Sequence, residues 1–186
     1  MKSLRVISGS ARGQRLRSVP GDKTRPITDR VKEALFNIIS SDIVNASLLD
    51  LFAGTGAVGI EALSRGAEYV RFVDTQSQAI RTIKTNLTQT NLTDKATVVR
   101  QDAFKLLASA SDRAYDYIYI APPQYKGLWS KSLRLLEQNI EWLDRDGWGI
   151  IQIDPIEYQE IQLANLDVFD QRRYGSTQLV FYERTD

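Results

Sequence analysis

Neither cysteine nor histidine occurs among the 186 residues. That double absence excludes disulfides, thiolate nucleophiles, imidazole bases and zinc sites built on Cys or His, and no metal site is expected. Long apolar runs are missing as well, none approaching the ~20 residues of a membrane span. The opening stretch MKSLRVISGSARGQRLRS scatters arginines and has no continuous apolar block, so no secretory signal and a cytoplasmic location are expected. There are no repeats, low-complexity segments or interdomain linkers. Chemistry must therefore come from carboxylates, amides, hydroxyls, lysines, backbone groups or a borrowed cofactor. Hydrophobic content of 42% with 25% charge fits one globular domain carrying at most a small appendage.

Net charge is only +1, but it is unevenly distributed. Residues 1–30 carry eight basic side chains (Lys2, Arg5, Arg12, Arg15, Arg17, Lys23, Arg25, Arg30) against Asp22 and Asp29. A basic arm on a mildly acidic body is the electrostatic footprint of a nucleic-acid binder. A solubilising tail is the blander alternative. Val6, Ile7, Leu16 and Val19 interrupt the arm, with Gly9 and Gly13 between them, which predicts a folded hairpin presenting arginines to phosphate. The expected division is a basic extension over 1–27 and a main domain over 28–186.

Thr28 is placed as a helix N-cap, followed by Val31, Leu35, Ile38 and Ile39 at helical spacing. Beyond it, short apolar runs alternate with amphipathic stretches. Strands are predicted over 47–54, 69–74, 96–102, 115–121 and 147–154. A helix after the fourth strand is expected to align Leu133, Leu136, Ile140 and Leu143. The alternation implies an α/β, doubly wound, mainly parallel sheet. Residues 166–174 and 177–184 flank Gly175-Ser176 and read as a C-terminal antiparallel hairpin, for seven strands in all. Trp129, Trp142 and Trp148 are expected in the packing, and Asp154 as a cap.

Ligands of such sheets sit beyond the carboxyl ends of the strands. There the first strand leads into Gly54-x-Gly56-x-x-Gly59, where glycines let the backbone turn and approach a ligand. This spacing serves dinucleotides and S-adenosylmethionine equally. Two acids discriminate. Asp50, inside the strand, suits an amino-acid ammonium, which S-adenosylmethionine has and a nicotinamide dinucleotide lacks. Asp102, ending the third strand, is placed to accept from an adenine amine. Asp74, ending the second, suits ribose hydroxyls in either case. Asp74 and Asp102 each have a simpler use as helix caps.

The fourth strand ends in IYIAPPQY, which resembles the (Asp/Asn)-Pro-Pro-(Phe/Tyr) motif of methyltransferases acting on exocyclic or amide nitrogens. An aromatic amine is a poor nucleophile because its lone pair is delocalised into the ring. Acceptors on its N–H groups localise that pair, prolines stiffen the loop, and an aromatic stacks on the extruded base. The blocks RVISGSARGQRL, TRPITDRVKEALFNII and LLDLFAGTGAVGIEALSRGA extend the likeness. Together they resemble the bacterial family that methylates the guanine exocyclic amine (N2) of small-subunit (16S) ribosomal RNA.

That resemblance implies a Rossmann-like methyltransferase fold, S-adenosyl-L-methionine as cofactor, and ribosomal RNA or a pre-ribosomal small-subunit particle as partner; no membrane partner is expected, and a monomer is. By the same resemblance, Asp50, Phe52, Gly54 and Gly56 hold the methionine part and frame the cofactor. Asp74 takes the ribose, Asp102 and Ala103 the adenine. Arg25 and Thr28 lie near the methionine end and the RNA entrance, and Arg5, Arg12, Arg15, Arg17, Arg25 and Arg30 contact RNA. Ala121, Pro122, Pro123, Gln124 and Tyr125 form the catalytic loop.

The family pattern has Asp or Asn where this chain has Ala121, and an aromatic where it has Gln124. Three readings follow. Backbone carbonyls with the Gln124 amide and the Tyr125 ring replace what is missing, or the chain binds RNA without efficient transfer, or the target atom has changed. A nonenzymatic RNA-binding or assembly protein and a nicotinamide-dependent oxidoreductase are the competing functions.

Overall fold

The segment SLLDL is buried at every position, which places strand β1 (Ser47–Leu51) in the interior of a sheet. The computed structural model, which describes residues 4–21 and 26–185, puts it there. Around it lie β2 (Tyr69–Asp74), β3 (Ala96–Arg100), β4 (Tyr115–Ile120), β5 (Leu143–Ile153), β6 (Leu166–Tyr174) and β7 (Thr177–Arg184). The order across the sheet is β3-β2-β1-β4-β5-β7-β6. β1 to β5 run parallel, and β7 lies antiparallel to both β5 and β6. The strand order reverses between β1 and β4, and a crevice opens there at the carboxyl edge.

Side chains alternate across the sheet, so each strand supplies two cores. Leu48, Phe72, Tyr117, Tyr119 and Ile150 face helices α1 (Asp29–Ile39), α2 (Ala57–Ser64) and α3 (Ser77–Thr90). Leu49, Val73, Ile118, Ile120 and Ile151 face α4 (Ala103–Leu107) and α5 (Leu128–Gln138). Thr28 caps α1 by accepting from the Val31 N–H at 3.3 Å, with Asp29 favourably placed in the first turn. Trp129 and Trp142 are buried, and Trp148 packs edge-on to Phe181.

The arm folds back on itself and then onto the helices. Its two limbs meet in one antiparallel bridge, Arg5 to Arg15, flanked by Leu16 N–H to Leu4 O at 2.8 Å and Val6 N–H to Gln14 O at 2.9 Å. Leu4, Val6, Ala11 and Leu16 enter the same core as α1 and α2. The polar anchors are as specific. Glu61 accepts from Ile7 and Ser8 N–H at 2.9 and 3.0 Å, and the Lys32 ammonium donates to the Arg5 carbonyl at 2.5 Å. Asn86 pairs with both backbone groups of Arg17 and donates to the Thr55 carbonyl at 2.9 Å, tying the arm to the glycine loop.

The structure corrects several boundaries. The helix stripe expected to include Ile140 and Leu143 ends earlier. Asn139 leaves helical geometry (φ −128°, ψ 58°), its N–H and side-chain amide both turning back to the Leu135 carbonyl. Leu143 then opens β5, four residues before the predicted start. The first strand stops at Leu51 because Phe52 takes a left-handed φ of 60°. The third stops at Arg100, before Asp102 begins its capping role.

Candidate active site

Two cavities meet where β1 and β4 end. The larger, about 470 Å³, is lined by Asp50, Tyr119 and Gln152 from the strands, by Phe52 to Thr55 from the glycine loop, and by Ala121 to Gln124 from the proline loop. The other, about 250 Å³, is lined by Asp74, Gln76, Asp102, Ala103 and Phe104 among others. Phe52, Gly54, Ala121 and Pro123 line both, so the two form one continuous cleft. The Phe52 ring lies edge-on to Phe104, with centroids 5.6 Å apart.

The acids are held differently. Asp50 is 2% exposed and, among the described residues, accepts one hydrogen bond, from the Gly59 N–H at 3.3 Å. Burial pushes its carboxyl up to about 8, with the Asp74 charge adding and the Gly59 bond opposing. Asp74 accepts from Gly54 N–H and Gln76 N–H, both at 2.9 Å, and so fixes the glycine loop. Asp102 is a true N-cap, one oxygen accepting from Phe104 and Lys105 N–H at 2.8 and 3.0 Å. Its second oxygen has no hydrogen bond to a described residue. Asp154 also caps, accepting from Ile156 N–H at 3.0 Å.

The glycines divide the work. Gly54 has φ 57°, and a Cβ there would meet no atom within 4 Å, only the cleft it lines. Gly59 is needed for packing, since its Cβ would stand 2.3 Å from the Phe72 ring. Gly59→Ala is therefore expected to destabilise the chain by about 1–3 kcal/mol through overpacking, readable as a lowered denaturant midpoint at unchanged slope.

The remaining candidates separate clearly. Gln124 lines the larger cavity; Tyr125 lines neither. Tyr125 has φ 63°, is 67% exposed, and is tied by its hydroxyl to Asp154 at 2.7 Å and by its N–H to Glu157 at 2.8 Å. Thr28 and Gly56 also stand outside both linings, the first capping α1 and the second initiating α2 in left-handed geometry. Arg12, Arg15, Arg17 and Arg30 are exposed, and Arg5 pairs with Asp29 at 3.0 Å. Arg25 lies outside the described residues. Tyr119 and Gln152 were not singled out in the sequence. Alternation along the fourth strand, which puts Tyr119 on the face of Ala121, is the signal that could have found the first.

A family model described as Conserved hypothetical protein 95 matches residues 4–183. The YlbH protein of Bacillus subtilis (strain 168), provisionally named an rRNA methyltransferase, is 41% identical over 97% of this chain and 99% of its own. Ribosomal RNA small subunit methyltransferase D of Escherichia coli (strain K12) is 37% identical over 75% of this chain and 69% of its own. The solved structure of yhhF from Escherichia coli, provisionally named a methyltransferase, superposes with a TM-score of 0.87 at 32% identity, covering 98% of each chain.

Proposed function

The chain belongs to the family of small-subunit ribosomal RNA methyltransferases matched by the Conserved hypothetical protein 95 model, and from that premise we propose that it methylates the exocyclic N2 of a guanine in small-subunit ribosomal RNA. The observation that carries this reading is the continuous cleft, whose larger part is shared by Asp50 and the proline loop.

S-adenosyl-L-methionine is the cofactor, and when bound it supplies an electrophilic methyl group. The residues present fit it. Gly54 leaves open the space that a side chain would fill. Asp50 holds the methionine ammonium, and its burial makes that one ion pair strong. Asp74 keeps unused lone pairs for ribose hydroxyls, and Asp102 and Ala103 frame the adenine beside Phe104. Carbonyls of Ala121 and Pro122, with the Gln124 amide oxygen, accept from the guanine amine and aim its lone pair. No strong base is required, so the absence of histidine is no obstacle. Alignment within the cleft does much of the rest. Arg12, Arg15, Arg17 and Arg30, with Arg5 and Arg25, contact RNA phosphates from the extension over 1–27 and the start of the domain over 28–186.

Transfer of label from S-adenosylmethionine to unmethylated small-subunit RNA or particles tests this. The native chain is expected to transfer. Gln124→Ala is expected to be about ten- to a hundred-fold slower at unchanged cofactor affinity, the loss of one assisted hydrogen bond. Cofactor binding without transfer to either substrate would favour the RNA-binding or assembly role, with Ala121 as its cause.

A further inference from the structure

β5 brings a residue into the cleft that the proposed chemistry leaves unused. Asp50 pairs in register with Tyr119, and Tyr119 with Ile150, so Gln152 follows two positions on, at the cavity's rim and on the same face. The Tyr119 hydroxyl donates to Gln152 Oε1. Burial, and then the Asp50 charge, raise the Tyr119 hydroxyl well above its ordinary value, so it remains a donor at neutral pH. With its oxygen engaged, the amide is fixed in one orientation, and Nε2 donates to none of the described residues. Gln152 is half-buried and lines the larger cavity, so these N–H groups are available to a ligand there.

We infer that Gln152, oriented by Tyr119, donates through Nε2 to the ring nitrogen N3 of the target guanine and so sets the register of the base in the cleft. The inference rests on the guanine-amine reading above. Two ring nitrogens flank the exocyclic amine of guanine. N1 carries a hydrogen and cannot accept, whereas N3 has a free lone pair. A donor sharing the cavity with the loop that takes the amine therefore meets N3. Tyr119 acts through Gln152 and is a positioning residue.

The test compares the native chain and Gln152→Met on unmethylated small-subunit RNA, and on the same RNA with 3-deazaguanine at the modified position. Gln152→Met is expected to lose about tenfold in kcat/KM while keeping its affinity for S-adenosylmethionine. The native chain should lose as much on the 3-deaza substrate, and Gln152→Met should lose nothing further there. Tyr119→Phe/Gln152→Met is the structural control. It should regain the stability lost when the tyrosine hydroxyl is orphaned, without regaining activity.

The inference is overturned if Gln152→Met turns over like the native chain, or if the double variant restores rate together with stability. Native turnover that tolerates 3-deazaguanine also overturns it, and that measurement decides alone should Gln152→Met not fold. A native chain that binds cofactor but never labels guanine removes the functional reading and this inference with it. Guanine labelling that is indifferent to Gln152 removes the inference only.

Discussion

Asp50→Asn is expected to weaken S-adenosylmethionine binding by about a hundredfold or more while stabilising the ligand-free chain at neutral pH. Both effects arise from one buried carboxyl whose value rises from 3.8 to about 8 on folding. The folded state holds this proton more tightly than the unfolded state. The contribution of Asp50 to stability is therefore greatest below the unfolded value, falls as pH rises towards the folded one, and levels off above it. A neutral amide does not titrate, so the variant gains on the native chain across that window.

Binding shows the same linkage from the other side. At pH 7 the free site is largely protonated, yet an ammonium needs the carboxylate. Binding should release close to one proton, and affinity should climb by nearly tenfold per unit between about pH 5.5 and 7. Calorimetry in buffers of different ionisation enthalpy, with melting curves of both forms, measures each part. An affinity that is flat with pH, or an Asn variant that binds normally, would contradict the role given to Asp50.

Glu61→Ala is expected to cost about 3–5 kcal/mol, with a fall in melting temperature of roughly 10 °C. Glu61 and Lys32 are fully buried side chains 3.3 Å apart. Removing the acid strands an ammonium whose burial already lowers its pKa, and frees the Ile7 and Ser8 N–H groups. Glu61 opposes that lowering, so its loss depresses the lysine further. A lysine depressed on folding regains stability as pH rises towards its unfolded value of 10.5. The variant therefore regains more than the native chain, and its deficit should shrink in alkaline buffer. Glu61→Ala/Lys32→Met should recover much of the loss without re-anchoring the arm. Melts from pH 7 to 10 decide it; a deficit independent of pH would show that Lys32 is not the stranded charge.

These two acids also differ in what the sequence shows of them. The place of Asp50 in the cleft was legible because a carboxylate inside an apolar strand, four residues before a glycine loop, has few uses. The strands were legible because buried runs such as SLLDL lack helical period, and the last hairpin because Gly175-Ser176 separates two long β-rich segments. Glu61 was not. Only the returning arm, 53 and 54 residues away in sequence, makes its side of α2 an interior. The Tyr119–Gln152 pair was hidden similarly, since its partners are 33 residues apart on neighbouring strands. The early end of α5 depends on one capping asparagine, whose effect does not disturb the apolar spacing of Leu133, Leu136, Ile140 and Leu143. The alanine of APPQY was visible at once, and what stands around it, Gln124 within the cavity and Tyr125 drawn away to Asp154, required the fold.

The most direct measurement is the identity of the labelled nucleoside. Unmethylated small-subunit particles are incubated with the pure chain and labelled S-adenosylmethionine, and the RNA is digested and resolved. Label in N2-methylguanosine is the predicted result, and would show that a loop with Ala121 supports transfer to the guanine amine. Label in any other nucleoside, or none despite cofactor binding, would contradict it.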